Sequence, residues 1–128
     1  MGVDISINTV VGIVLDFEGL KALPDYELYG SHETLEIIFE DRDAYNKGLT
    51  FGVAGNYWTG DVPEQPWIGL DRLTESYDLY DIPGGIINAD SLGAPDITEK
   101  EGKRLRKMAK RLGTKDPKIE QFMSVLWH

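Results

Sequence analysis

The chain has 128 residues, 41% of them hydrophobic, with three Trp, six Tyr and four Phe. That is enough apolar material for one independent core, and it argues against wholesale disorder. There is no cysteine and the formal net charge is −9, so disulfides and thiolate metal sites are excluded.

The charge is divided along the chain. Residues 1–97 hold 4 basic and 18 acidic residues, a net of −14, while residues 98–128 hold 9 basic and 4 acidic, a net of +5. A single domain over 1–128 is expected, with an acidic sheet-rich body (1–97) followed by a basic, amphipathic helix pair (98–128). The longest unbroken apolar run, 10–15, is far short of the ~20 residues of a membrane helix. No basic stretch followed by an apolar one marks a secretory leader. The expectation is a cytoplasmic protein with no membrane association.

The first element alternates. Val3, Ile5 and Ile7 point one way and Asp4, Ser6 and Asn8 the other, the period of a half-buried strand. From residue 10 to 15 both faces become apolar, as in a strand crossing the middle of a sheet, and Gly12 marks a bulge or a close backbone approach. Residues 16–23 predict a short helix stopped by Pro24. Residues 35–40 and 49–54 predict two strands of an antiparallel hairpin joined by the polar loop 41–48. An aromatic, proline-containing loop follows, 56–67. Leu70, Leu73, Tyr77 and Tyr80 recur at helical spacing, so 69–80 predicts a helix, and Ile86 and Ile87 a short strand.

The C-terminal part gives the clearest signals. Thr98 and Glu101 form a capping box, and the helix they open runs to Leu112 with Gly113 as terminator. At 100° per residue, Leu105, Met108, Ala109 and Leu112 share one face, and Lys103, Arg106, Lys107, Lys110 and Arg111 the opposite one. Asp116-Pro117 reads as the start of a second helix whose stripe is Ile119, Phe122, Met123, Leu126 and Trp127. The fold class expected is therefore α+β: an antiparallel or mixed β-sheet with a C-terminal helical hairpin packed on one face.

Three surfaces are candidates for function. The row of cations on the 99–112 helix suits neutralisation of nucleic-acid phosphates, and equally suits a solvated face or one lying against the acidic body. The acidic body, with clusters such as Glu36, Glu40, Asp41, Asp43 and Asp71, Glu75, Asp78, Asp81, suits a basic protein groove, with carboxylates standing where phosphates bind. The aromatic loop places Tyr57, Trp58 and Trp67 around Asp61 and Glu64. These are either partner-binding residues or a cap on the core, since aromatics bury large area at low entropic cost.

Enzymatic signatures are absent. The two histidines, His32 and His128, have no metal-ligand spacing, and no nucleophile elbow, P-loop or dinucleotide fingerprint is present. No catalytic residue, metal or cofactor is expected. The reading that follows is a non-catalytic small acidic binding protein, a regulator or inhibitor that contacts a basic protein partner. The alternatives are a nucleic-acid-binding accessory protein using the basic helix, and a small hydrolase built on carboxylates and His32. Phe122 and Trp127 offer a homodimer contact. Short, acidic, motif-poor chains of this kind suit the accessory proteins of bacteria and their phages.

Overall fold

The structure is a computed structural model that describes residues 5–24, 30–40, 48–56, 64–77, 85–88 and 97–127. Among the described residues, six strands and three helices follow one another as β1 (Ile5–Val14), α1 (Phe17–Lys21), α2 (Ser31–Glu40), β2 (Leu49–Asn56), β3 (Gln65–Leu70), β4 (Glu75–Tyr77), β5 (Gly85–Asn88), α3 (Glu99–Arg111) and β6 (Glu120–Trp127). A 3-10 turn, Asp71–Leu73, joins β3 to β4.

β1 is the organising strand. Along one edge it pairs antiparallel with β6 from Ile5↔Trp127 to Gly12↔Glu120. It also pairs with β3 at residues 12–14 and with β4 at residues 7–9. β3 pairs in turn with β2, from Leu49↔Leu70 to Ala54↔Gln65. The end of β2 meets the end of β6 in a two-residue parallel contact, Gly55↔Leu126 and Asn56↔Trp127. The pairings β1–β3–β2–β6–β1 thus close into a ring, with β5 added on β6. Gly12 is a close backbone approach, because a Cβ there would strike the Ile68 carbonyl across the β1–β3 pair.

Closing the sheet creates two apolar regions from one set of strands. Ile13 and Leu15 join Ile68, Leu70 and Leu49 under the helices, where Leu20, Leu35, Leu105, Met108 and Leu112 complete the main core. Val10 and Val14, of opposite parity on β1, face Trp67, Phe122 and Ile86 instead. The Trp67 indole lies over Gly52, its cross-strand partner, where a Cβ would meet the ring. It packs edge-on to Phe122 at 6.1 Å between centroids, and its Nε1–H donates to the Ser124 hydroxyl at 2.7 Å. A buried indole needs such a partner, and here β6 supplies it.

α3 is fixed at both ends. The Thr98 hydroxyl accepts from the Glu101 N–H, and the Glu101 carboxylate accepts from the Thr98 N–H at 2.9 Å. At the other end the Thr114 N–H reaches the Ala109 carbonyl and the Gly113 N–H reaches Lys110, the paired bonds of a Schellman motif. Gly113 has φ +95° and lies backbone to backbone against Gly19 of α1, so a side chain at either position would collide with the other. The Asp16 N–H donates to the Thr114 hydroxyl at 2.9 Å, and the Asp16 carboxylate caps α1.

Three expectations are corrected. The C-terminal helical hairpin does not form: Asp116 and Pro117 lead into the strand β6. The stripe at Phe122 and Met123 fits helical spacing, but this segment instead fills an edge of β1 over eight paired positions. The basic part and the acidic part are therefore not separate layers, because residues 120–127 are the main partner of β1. Residues 35–40 are helical, since Ser31, Thr34, Leu35 and Ile38 turn inward at helical spacing, and β2 forms its hairpin with β3 instead. Finally, within the stretch 69–80, residues 69–77 hold the end of β3, the 3-10 turn and β4, while 78–80 lie outside the described residues. The strands over 5–14, 49–56 and 85–88 and the helices at 17–21 and 99–111 agree with the sequence reading.

Ser124→Ala would leave the buried Trp67 N–H without its hydroxyl acceptor. It is expected to lower unfolding free energy by about 1–3 kcal/mol, read as a reduced urea midpoint with an unchanged slope.

Candidate functional site

Two exposed helix faces of opposite charge stand on the described surface. The first is on α2. With Ser31, Thr34 and Leu35 buried, His32, Glu33, Glu36 and Ile37 project into solvent. Ile37 is 52% exposed and is the single exposed large hydrophobic among the described residues. The His32 ring rests near Phe51, 5.6 Å between centroids, and its Nδ1 lies 3.8 Å from the Glu36 carboxylate.

Glu64 joins this face from β3's approach. The buried Ser31 hydroxyl donates to the Glu64 carboxylate at 3.1 Å, which holds that carboxylate at the N-terminal end of α2, where the helix dipole favours an anion. The corner at Gly30 lies between two acids: a Cβ there would be 3.6 Å from Glu64 Oε1 and 3.7 Å from Glu33 Oε2. Glu64 and Glu33 therefore meet at the N-terminal corner of α2, while Glu33 and Glu36 flank Ile37 along the helix.

The second face is on α3. Leu105, Met108, Ala109 and Leu112 are buried in the main core, so Lys103, Arg106, Lys107, Lys110 and Arg111 all face outward and are exposed. Lys103 is 3.9 Å from Glu99 on the same helix.

Among the residues singled out in the sequence, Tyr57, Trp58 and Asp61 lie outside the described residues, as do Asp41, Asp43, Asp78 and Asp81. Glu64 takes a defined place on the α2 corner. Trp67 is only 2% exposed and belongs to the core with Phe122, itself 1% exposed, so neither presents a surface to a partner or to a second copy. His32 is set beside Glu36 and Phe51 on the outside of α2, while the neighbouring Ser31 hydroxyl is engaged by Glu64. The exposed face of α2 was missed because residues 35–40 read as a strand; the signal that could have found it is the helical spacing of Ser31, Thr34, Leu35 and Ile38.

Among the described residues no group of three or more His, Asp or Glu side chains is placed to hold a metal ion. No helix there is long and apolar enough to cross a membrane. No protein-family model, curated protein or solved structure matches the chain.

One ion pair orients α3 and both its faces. Arg72, in the 3-10 turn, donates from Nε and Nη2 to the two Glu101 oxygens, both at 2.7 Å. The Arg72 hydrogen bond, with the Thr98 N–H, holds the Glu101 carboxyl down to about 2 from its ordinary 4.5. A lowered folded value means that the stabilisation is complete above about 4.5 and is lost as pH falls toward about 2. Arg72 is half exposed, 51% by side chain, so solvent screening limits the pair to about 1 kcal/mol. Arg72→Gln is expected to lower thermal stability near neutral pH, and the wild-type advantage should shrink through that acid window.

Proposed function

We propose that the chain is a non-catalytic acidic binding protein, a regulator or inhibitor that takes a basic protein partner on the exposed face of α2. The observation that carries this reading is Ile37: an apolar side chain left in solvent with the exposed Glu33 and Glu36 as its neighbours on the same helix. Protein contacts draw most of their energy from a few desolvated side chains inside a polar rim. An aliphatic residue with carboxylates beside it has that composition on a small scale.

The carboxylates supply the choice of partner. They steer a cationic surface toward α2 and disfavour an acidic one, acting on the rate of encounter more than on the lifetime of the complex. The net charge of −9 works in the same direction. If the partner's groove normally holds phosphates, Glu33, Glu36 and Glu64 occupy the places of anionic oxygens and block it, which is the inhibitor form of the same function.

The test is capture of partners from a native extract with immobilised wild type, Ile37→Ala and Glu33→Lys/Glu36→Lys. The wild type is expected to retain a basic protein at low salt. Ile37→Ala should weaken the purified complex about tenfold, mainly through faster dissociation. The double reversal should slow association and remove its salt dependence. A partner retained equally by all three proteins would overturn the assignment of this face.

A further inference from the structure

We infer that the exposed face of α3 is a docking site for the phosphate backbone of a nucleic acid, separate from the α2 surface. At 3.6 residues per turn, Lys100, Lys103, Arg106, Lys107, Lys110 and Arg111 fall within an arc of about 140°. Over residues 100–111 the helix rises about 16 Å. All six side chains are exposed, and Lys115 and Lys118, just past the helix, are exposed as well. Nine of the 13 cationic residues of a chain with net charge −9 are gathered between residues 100 and 118. Solubility does not call for that, since the acidic excess already provides it.

The composition of the face selects among polyanions. Protein interfaces need aromatic or aliphatic anchors, and the one exposed large hydrophobic among the described residues is Ile37, on α2. Phosphate contact needs only placed cations, whose binding releases condensed counterions and carries no sequence information. An anionic membrane takes up an amphipathic helix by burying its apolar face, but Leu105, Met108, Ala109 and Leu112 are already buried in the protein core. The face therefore fits a nucleic-acid backbone, bound without regard to sequence. Glu99 beside Lys103, and the acidic remainder of the chain, oppose the approach of any polyanion, so the contact is short-ranged and strongly salt-dependent.

Fluorescence anisotropy of the full chain with a labelled DNA duplex, and with a labelled single strand, tests this directly. With four phosphates engaged, duplex affinity should fall about a hundredfold between ~50 and ~200 mM salt. Lys107→Ala should reduce the slope of log affinity against log salt by about one. Lys103→Glu/Lys107→Glu/Lys110→Glu should lose binding at least tenfold at the lower salt, measured well below its own thermal midpoint so that the loss reads charge and not unfolding. Ile37→Ala should bind DNA as the wild type does, which separates failure here from failure of the α2 assignment. No anisotropy change with either probe at low salt would overturn the inference. So would a triple variant that binds as well as wild type, or tighter binding to phosphatidylserine–phosphatidylcholine vesicles than to DNA.

Discussion

The antiparallel pairing of β1 with β6 is the constraint on which the rest of the molecule depends. It joins residues 5–12 to residues 120–127, the two ends of the described chain. Without β6 the sheet is an open arrangement of β2, β3, β4 and β1. With it the strands close into a ring, and the Trp67 indole gains both Phe122 as a packing partner and Ser124 as a hydrogen-bond acceptor. A contact of such sequence separation carries a loop-closure cost that local contacts do not. It is sustained because β6 brings Phe122 and Val125 into burial, at 1% and 0% exposure.

That closure also decides which way the charges face. The chain between α3 and β6 is short, so α3 must lie close to the sheet that β6 enters. The capping box, the Schellman turn and the Gly19–Gly113 contact then set where the helix begins, ends and sits against α1. With its apolar stripe committed to the main core, its cations have no direction but outward. On α2 the same logic places Glu33, Glu36 and Ile37 in solvent, because Ser31, Thr34 and Leu35 are drawn inside. The opposed charges of the two faces follow from packing of the apolar sides.

Much of this was legible in the residues where the determining signal is local. The capping box at Thr98, the terminator at Gly113 and the apolar stripe of α3 each operate within a few residues, and each was readable from spacing alone. What could not be read was nonlocal. Phe122, Met123 and Leu126 satisfy a helical period, and Phe122 and Ser124 equally satisfy a strand period. The open edge of β1, more than a hundred residues earlier, settles the matter. Residues 35–40 misled for the reverse reason: Ile37, Ile38 and Phe39 favour a strand by propensity, but the buried hydroxyls of Ser31 and Thr34 set a helical period that hydropathy alone does not register. Of the candidate site, the exposure of the basic face was foreseeable from the α3 stripe. The joining of Glu64 to α2 through Ser31 was not, since that bond spans 33 positions in sequence.

The absence of cysteine makes the β1–β6 register open to one clean measurement. Thr9 and Met123 are directly opposed in that pairing, and opposed Cβ atoms in a sheet are about 4.5–5.5 Å apart, near enough to be bridged. Thr9→Cys/Met123→Cys should oxidise to an intramolecular disulfide in the folded protein, whereas Thr9→Cys/Ser124→Cys, one residue out of register and facing the other side, should remain reduced under the same conditions. Failure of the first pair to cross-link while the protein stays folded, or equal cross-linking of both pairs, would contradict a closed ring sealed by β1 and β6.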